Sequence, residues 1–157
     1  MKVTFIVVGK TVKSYLQEAE AEYDKRLKHY IRFEEIVIPE LKKVAKLSEN
    51  EIKVKEGSLI LSKVQNSDDV ILLDEGGKLY SSEEFANRMD KFAVAGAKNI
   101  VFVVGGAYGF SDEMYLRAKQ KISLSKMTFS HQMVRTIFKE QLYRAYTILK
   151  GEPYHHR

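Results

Sequence analysis

The sequence predicts an α/β protein, a single domain built on a mostly parallel sheet flanked by helices. Three short runs, at 2–8, 70–73 and 101–104, are almost wholly apolar and rich in β-branched residues, the pattern of strands buried on both faces. The stretches between them carry apolar residues at helical spacing, and strands that alternate with helices need crossovers that lay those helices on the sheet. At 157 residues, 45% hydrophobic and 30% charged with two prolines, the chain suits one domain with its own core.

Taken in order, 2–8 reads as the first strand, stopped by Gly9. Val12, Tyr15, Leu16, Ala19, Tyr23, Leu27 and Ile31 recur at helical spacing and predict an amphipathic helix over 12–30. Residues 33–38 alternate loosely and close on Pro39 as a second strand, and 41–47 read as a lysine-rich loop. Ser48-x-x-Glu51 is a capping box that opens a helix to about Val64. A third strand at 70–73 is expected to give way to a loop over 74–80, and Ser81-x-x-Glu84 caps a helix to about Ala95. The fourth strand spans 99–104, a short helix 111–119, the fifth strand 121–125 and a long last helix 131–150. No internal repeat, low-complexity tract or linker interrupts this order.

Composition limits the function classes. There is no cysteine, so a disulfide scaffold and a Cys-ligated metal are excluded. The apolar start is too short for a secretory core or a membrane span, and a cytoplasmic protein is expected. Net charge is +5. From Arg117 onward nine Lys or Arg face only Glu140 and Glu152, a local +7 that leaves −2 for the remainder. A one-sided basic field suits a polyanion, nucleic acid before membrane, and also suits an ordinary solvated helix face.

The first strand-to-helix turn, Gly9-Lys-Thr-Val-Lys, has one glycine and no G-x-G-x-x-G, and no G-x-x-x-x-G-K-[ST] occurs, which argues against dinucleotide and ATP folds. The glycine-bearing turns follow strands three and four instead. Three loops, 73–77, 105–109 and 124–129, therefore converge as a candidate cleft, since ligands of open α/β sheets sit beyond the strands' carboxyl ends. Their glycines, small hydroxyls and apolar side chains suit an uncharged purine ring and suit a metal or a triphosphate badly. On the last helix Arg135, Lys139, Tyr143 and Tyr146 share a flank. That grouping fits phosphate contact with base stacking, and equally an amphipathic border. The tail Pro153-Tyr-His-His-Arg157 reads either as a site or as a tag remnant.

Taken together, Val-Val-Gly105-Gly-Ala-Tyr-Gly109, Leu124-Ser-x-Met-Thr128, His131-x-x-Val134-Arg135, Glu140-Gln-Leu-Tyr143-Arg-Ala-Tyr146 and Pro153-Tyr-His resemble the RlmH group of small SPOUT-superfamily methyltransferases. The resemblance runs over the whole chain and includes Val7-Val-Gly9 and Leu73-Asp74. It implies one SPOUT domain over 1–157, with a trefoil knot and the cofactor loops in roughly 70–157. It implies S-adenosylmethionine held by Leu73, Gly105, Leu124, Ser125, Lys126, Met127, Thr128 and Phe129. It also implies a homodimer, no metal, and N3 methylation of a pseudouridine in large-subunit rRNA on the assembled 70S ribosome. The tail departs from the pattern, reading Tyr-His-His-Arg where Tyr-His-Arg is expected, so the separate roles of His155 and His156 stay open.

N3 of pseudouridine is an imide N–H, a poor nucleophile until deprotonated, and a base near neutrality would help. His155 is the expected base, on a tail that closes over the target, with Arg135 and Tyr154 as the other catalytic residues. Lys139, Tyr143, Arg144, His131, His156 and Arg157 are the expected RNA contacts. The alternative is a basic ribosome- or RNA-binding module without chemistry.

Overall fold

The computed structural model describes residues 1–156, so the RNA role expected of Arg157 lies outside the described residues. Five strands, β1 (Lys2–Val8), β2 (Arg32–Ile38), β3 (Asp69–Leu79), β4 (Asn99–Val104) and β5 (Gln120–Ser123), form one parallel sheet in the order β2-β1-β4-β3-β5. Helices α1 (Ser14–Leu27), α2 (Glu49–Leu61), α3 (Ser82–Val94), α4 (Asp112–Arg117) and α5 (Met133–Leu149) cover it. All strands point the same way, so their carboxyl ends meet along one rim.

Strand side chains alternate between faces, and here both faces are covered. Val3, Phe5, Val7, Ile71, Ile100 and Phe102 join Leu27, Phe85, Met89, Phe138 and Leu142 from α1, α3 and α5 in one core. Ile6, Val8, Val70, Leu72, Val101 and Val103 meet Ile60, Phe110 and Met114 on the other face, where α2 and α4 lie. Phe138 of α5 packs at 4.7 Å from both Phe5 and Phe102, which fixes the last helix over the middle of the sheet. The apolar face of α5 is thus spent on this chain's own core.

Both capping boxes form: the Ser48 and Ser81 hydroxyls accept from the backbone N–H of Glu51 and Glu84, whose carboxylates accept from the serine N–H in return. The 41–47 segment contains one 3₁₀ turn, Val44–Lys46.

One expectation is corrected. Residues 74–80 do not form a simple loop, because β3 continues to Leu79. Leu73 pairs with Ile122, the chain bulges, and Lys78 and Leu79 pair again with Ile122 and Ser123. Gly77 permits this: a Cβ there would lie 2.6 Å from Ile122 N and 2.7 Å from Lys121 C, inside the backbone of β5. Extra residues in one strand of a pair push it outward, here at the carboxyl rim.

Candidate active site

A cavity of about 520 Å³ opens at that rim between the ends of β3, β4 and β5. Leu73, Asp74 and Glu75 line it from the β3 bulge, 104–107, Gly109 and Phe110 from the end of β4 and its turn, Ile122 and Ser123 from β5, and Leu124, Ser125 and 127–131 from the segment after it. Each wall has a local cause. Asp74 Oδ1 accepts from Gly76 N at 2.8 Å, which curls the bulge, and its other oxygen accepts from the Tyr115 hydroxyl of α4. Burial, and then Asp74, push the Tyr115 phenol up to about 12. In the β4 turn, a Cβ on Gly105 would meet the Phe110 ring at 3.1 Å and Gly109 O at 3.3 Å, so a larger residue there would press on the Phe110 ring and the Gly109 carbonyl. After β5, Ser125 Oγ accepts from Met127 N at 2.9 Å and Ser130 Oγ from Met133 N at 3.0 Å, which shapes the loop and the turn that leads into α5.

The residues expected to hold the cofactor fall largely together: Leu73, Gly105, Leu124, Ser125, Met127, Thr128 and Phe129 line this cavity, and Lys126 does not. His131, expected as an RNA contact, lines it too, beside Val134. The sequence reading missed Tyr115 and Phe110. Tyr115 reaches the cleft from α4, where its helical spacing reads as an ordinary helix face, and no signal in the sequence singled it out.

The flank of α5 is placed otherwise than expected. Arg135 is 1% exposed, and its guanidinium donates to Val8 O at 2.7 Å and Gly9 O at 2.8 Å, closing the carboxyl end of β1. Lys139 is also 1% exposed, and its ammonium sits 3.0 Å from Glu20, 3.0 Å from Asp24 and 2.5 Å from Glu35. Neither cation is open to a phosphate or to the cavity, and each ties α5 to β1, α1 or β2. Burial holds the Arg135 pKa below its ordinary value, with Glu20 and Glu35 opposing. For Lys139 burial acts downward, but the carboxylates prevail and the pKa is raised. Burial holds Glu35 above the ordinary carboxylate range, because one ammonium shared among three carboxylates does not fully offset its desolvation.

Tyr143 is enclosed by Tyr23, Tyr30 and Tyr154 at ring distances of 5.9, 5.7 and 4.7 Å, so its faces are taken. Arg144 bonds Glu140 and lies 4.7 Å over the Tyr154 ring. The Tyr154 hydroxyl lies 3.1 Å from Glu140 and 3.2 Å from that of Tyr23. Arg144 lies 3.1 Å from His155 Nδ1. A guanidinium only donates, so Nδ1 faces it as the acceptor, and Nε2 lies 3.7 Å from Glu83. His156 is exposed. None of Tyr154, His155 or His156 lines the cavity. From Val134 at the cavity to Arg144 at His155 is ten residues of α5, a rise of about 15 Å. The tail lies along its own helical layer and does not close over its own cleft.

The sequence of this chain matches one family over nearly its whole length. The family model described as "Predicted SPOUT methyltransferase" covers residues 1–155, and the chain belongs to that family. Methyltransferases of this family draw the methyl group from S-adenosylmethionine, which is this chain's cofactor. Among curated relatives, the protein named ribosomal RNA large subunit methyltransferase H of Christiangramia forsetii is 59% identical over 100% of both chains. Proteins of the same name from Parabacteroides distasonis and Flavobacterium johnsoniae are 56% and 52% identical, over 99% and 100% of both chains.

Among the described residues, no group of three or more His, Asp or Glu is placed to hold a metal ion, and no helix is long and apolar enough to cross a membrane.

Proposed function

We propose that this chain methylates N3 of a pseudouridine in large-subunit rRNA, on the assembled ribosome in the cytoplasm, as a homodimer whose cofactor lies in the rim cavity. The observation that carries the reading is the cavity itself, built at one rim from three loops of glycine, small hydroxyls and apolar walls. Its residues fit the cofactor. Backbone groups left open at Gly105 and Gly106 would suit a purine edge, and Asp74 and Glu75, which line the same cavity, would favour a cofactor that carries positive charge. When bound, S-adenosylmethionine supplies an activated methyl carbon. A trefoil knot over roughly 70–157 is part of this reading.

What remains for the chain is to orient the nucleophile and take one proton. His131, at the cavity wall, is the histidine we assign to accept the N3 proton. His155 is not arranged for that role, since its Nδ1 lone pair faces Arg144. In this reading the tail serves the reaction by covering the cleft of the second copy, since Tyr154 does not line the cleft of its own chain. A docking module without chemistry would have no use for this cavity, and the names of the relatives favour the enzyme.

The test is calorimetric titration of S-adenosylmethionine into the wild type and a Gly105→Val variant. Micromolar binding that weakens at least about tenfold in the variant, about 1.4 kcal/mol, is expected. A folded wild-type dimer that binds no cofactor would return the docking-module reading.

A further inference from the structure

A second groove, of about 320 Å³, lies between the end of β3 and the first half of α3. Lys78 and Tyr80 line one side, and Glu84, Asn87, Arg88 and Lys91, one face of α3 at helical spacing, line the other. Its charge is one-sided. Glu84 is the only carboxylate in the lining, and it already accepts from Ser81 N at 2.8 Å in the capping box. Lys78, Arg88 and Lys91 form no ion pair among the described residues.

Two of these cations are held in place by rings. The Arg88 guanidinium lies 4.7 Å over Phe92, and the Lys78 ammonium 5.0 Å over Tyr80. Arg88 Nε is shielded from solvent and has no acceptor among the described residues. The terminal nitrogens of Arg88 are the donors left to meet a ligand in the groove. A pre-oriented guanidinium flanked by ammonium groups is the donor set that suits a phosphate.

The groove adjoins the cleft through the sheet. Lys78 pairs with Ile122, and Ile122 itself lines the rim cavity. We propose that this groove holds a backbone phosphate of the RNA strand leading into the cleft, with Arg88 as the central donor and Lys78 and Lys91 beside it. The inference rests on the rRNA methyltransferase reading above. The strand is then gripped one β-pair away from the cleft.

The test uses full-length protein and 70S ribosomes lacking the modification. In the pair variant Arg88→Gln with Lys91→Gln, KM for ribosomes is expected to rise at least tenfold while the Kd for S-adenosylmethionine stays within twofold. The dependence of log KM on log salt is expected to become shallower by about one for each phosphate that the variant no longer neutralises. Lys78→Gln, an exposed change that leaves the core intact, is expected to give a smaller shift of the same kind. Unchanged KM and salt slope in variants that melt like the wild type would overturn the inference. Wild-type protein that transfers no methyl group to ribosomes would instead overturn the reading on which it rests.

Discussion

At the scale of single residues, the surprise is how much charge this molecule commits to its interior. Lys139 and Arg135 sit on the helix flank that the sequence marked, but they face inward. Spacing on a wheel says which residues share a side. It does not say whether that side meets water or a neighbouring element, and here α1 and β2 supply the carboxylates from over a hundred positions away. Replacing Lys139 by Met leaves three carboxylates facing each other and should cost about 3 to 5 kcal/mol, measured by urea denaturation. The raised Lys139 pKa also sets a pH dependence. The pair's stabilisation is fully present below the unfolded lysine value near 10.4 and is lost as pH rises through the higher folded value. Melting temperature should therefore fall above about pH 10.4 more steeply in the wild type than in Lys139→Met. Parallel curves would remove the ion cluster from the account. Gly105 was legible for a simpler reason, since two glycines after a buried strand mark a close turn. What the sequence did not show is that Phe110 is the group the missing side chain makes room for.

At the scale of elements, local signals decided most of the fold. Serine three residues before glutamate starts α2 and α3, and both boxes form because their atoms are within reach without any tertiary help. β1 and β4 were legible because strands buried on both faces read as near-continuous apolar runs, broken within β1 by Thr4, whose hydroxyl donates to Asn99 Oδ1. The second half of β3 was not, because Asp74-Glu-Gly-Gly-Lys has turn composition, and only pairing with β5 extends the strand. That pairing depends on Gly77. Gly77→Ala places a methyl inside the β5 backbone and should cost about 3 kcal/mol, with loss of cofactor binding because the bulge and Leu124 move together. A variant that retains both stability and binding would show that the β3–β5 junction is softer than the structure implies.

At the scale of the whole molecule, the sheet brings three loops from separate parts of the chain to one rim, and that much followed from strand–helix alternation. The position of the tail did not, because a terminus of aromatic and basic residues carries no record of which surface it meets. Tyr154 and His155 pack against α5, about 15 Å of helix rise from the cleft wall at Val134. A mixed dimer of Gly105→Val chains with chains lacking residues 153–157 tests the two-copy arrangement. One cleft in that dimer keeps both an intact cofactor loop and the other copy's tail, so about half of wild-type turnover is expected where each parent dimer has little. No recovery would place the tail's role within its own chain. The central claim, methyl transfer to rRNA, is met most directly by incubating the protein with unmodified ribosomes and S-adenosylmethionine carrying a labelled methyl group, then resolving the rRNA nucleosides by mass spectrometry. The account predicts label in a single large-subunit nucleoside, N3-methylpseudouridine. Folded, cofactor-binding protein that leaves the rRNA unlabelled would contradict it.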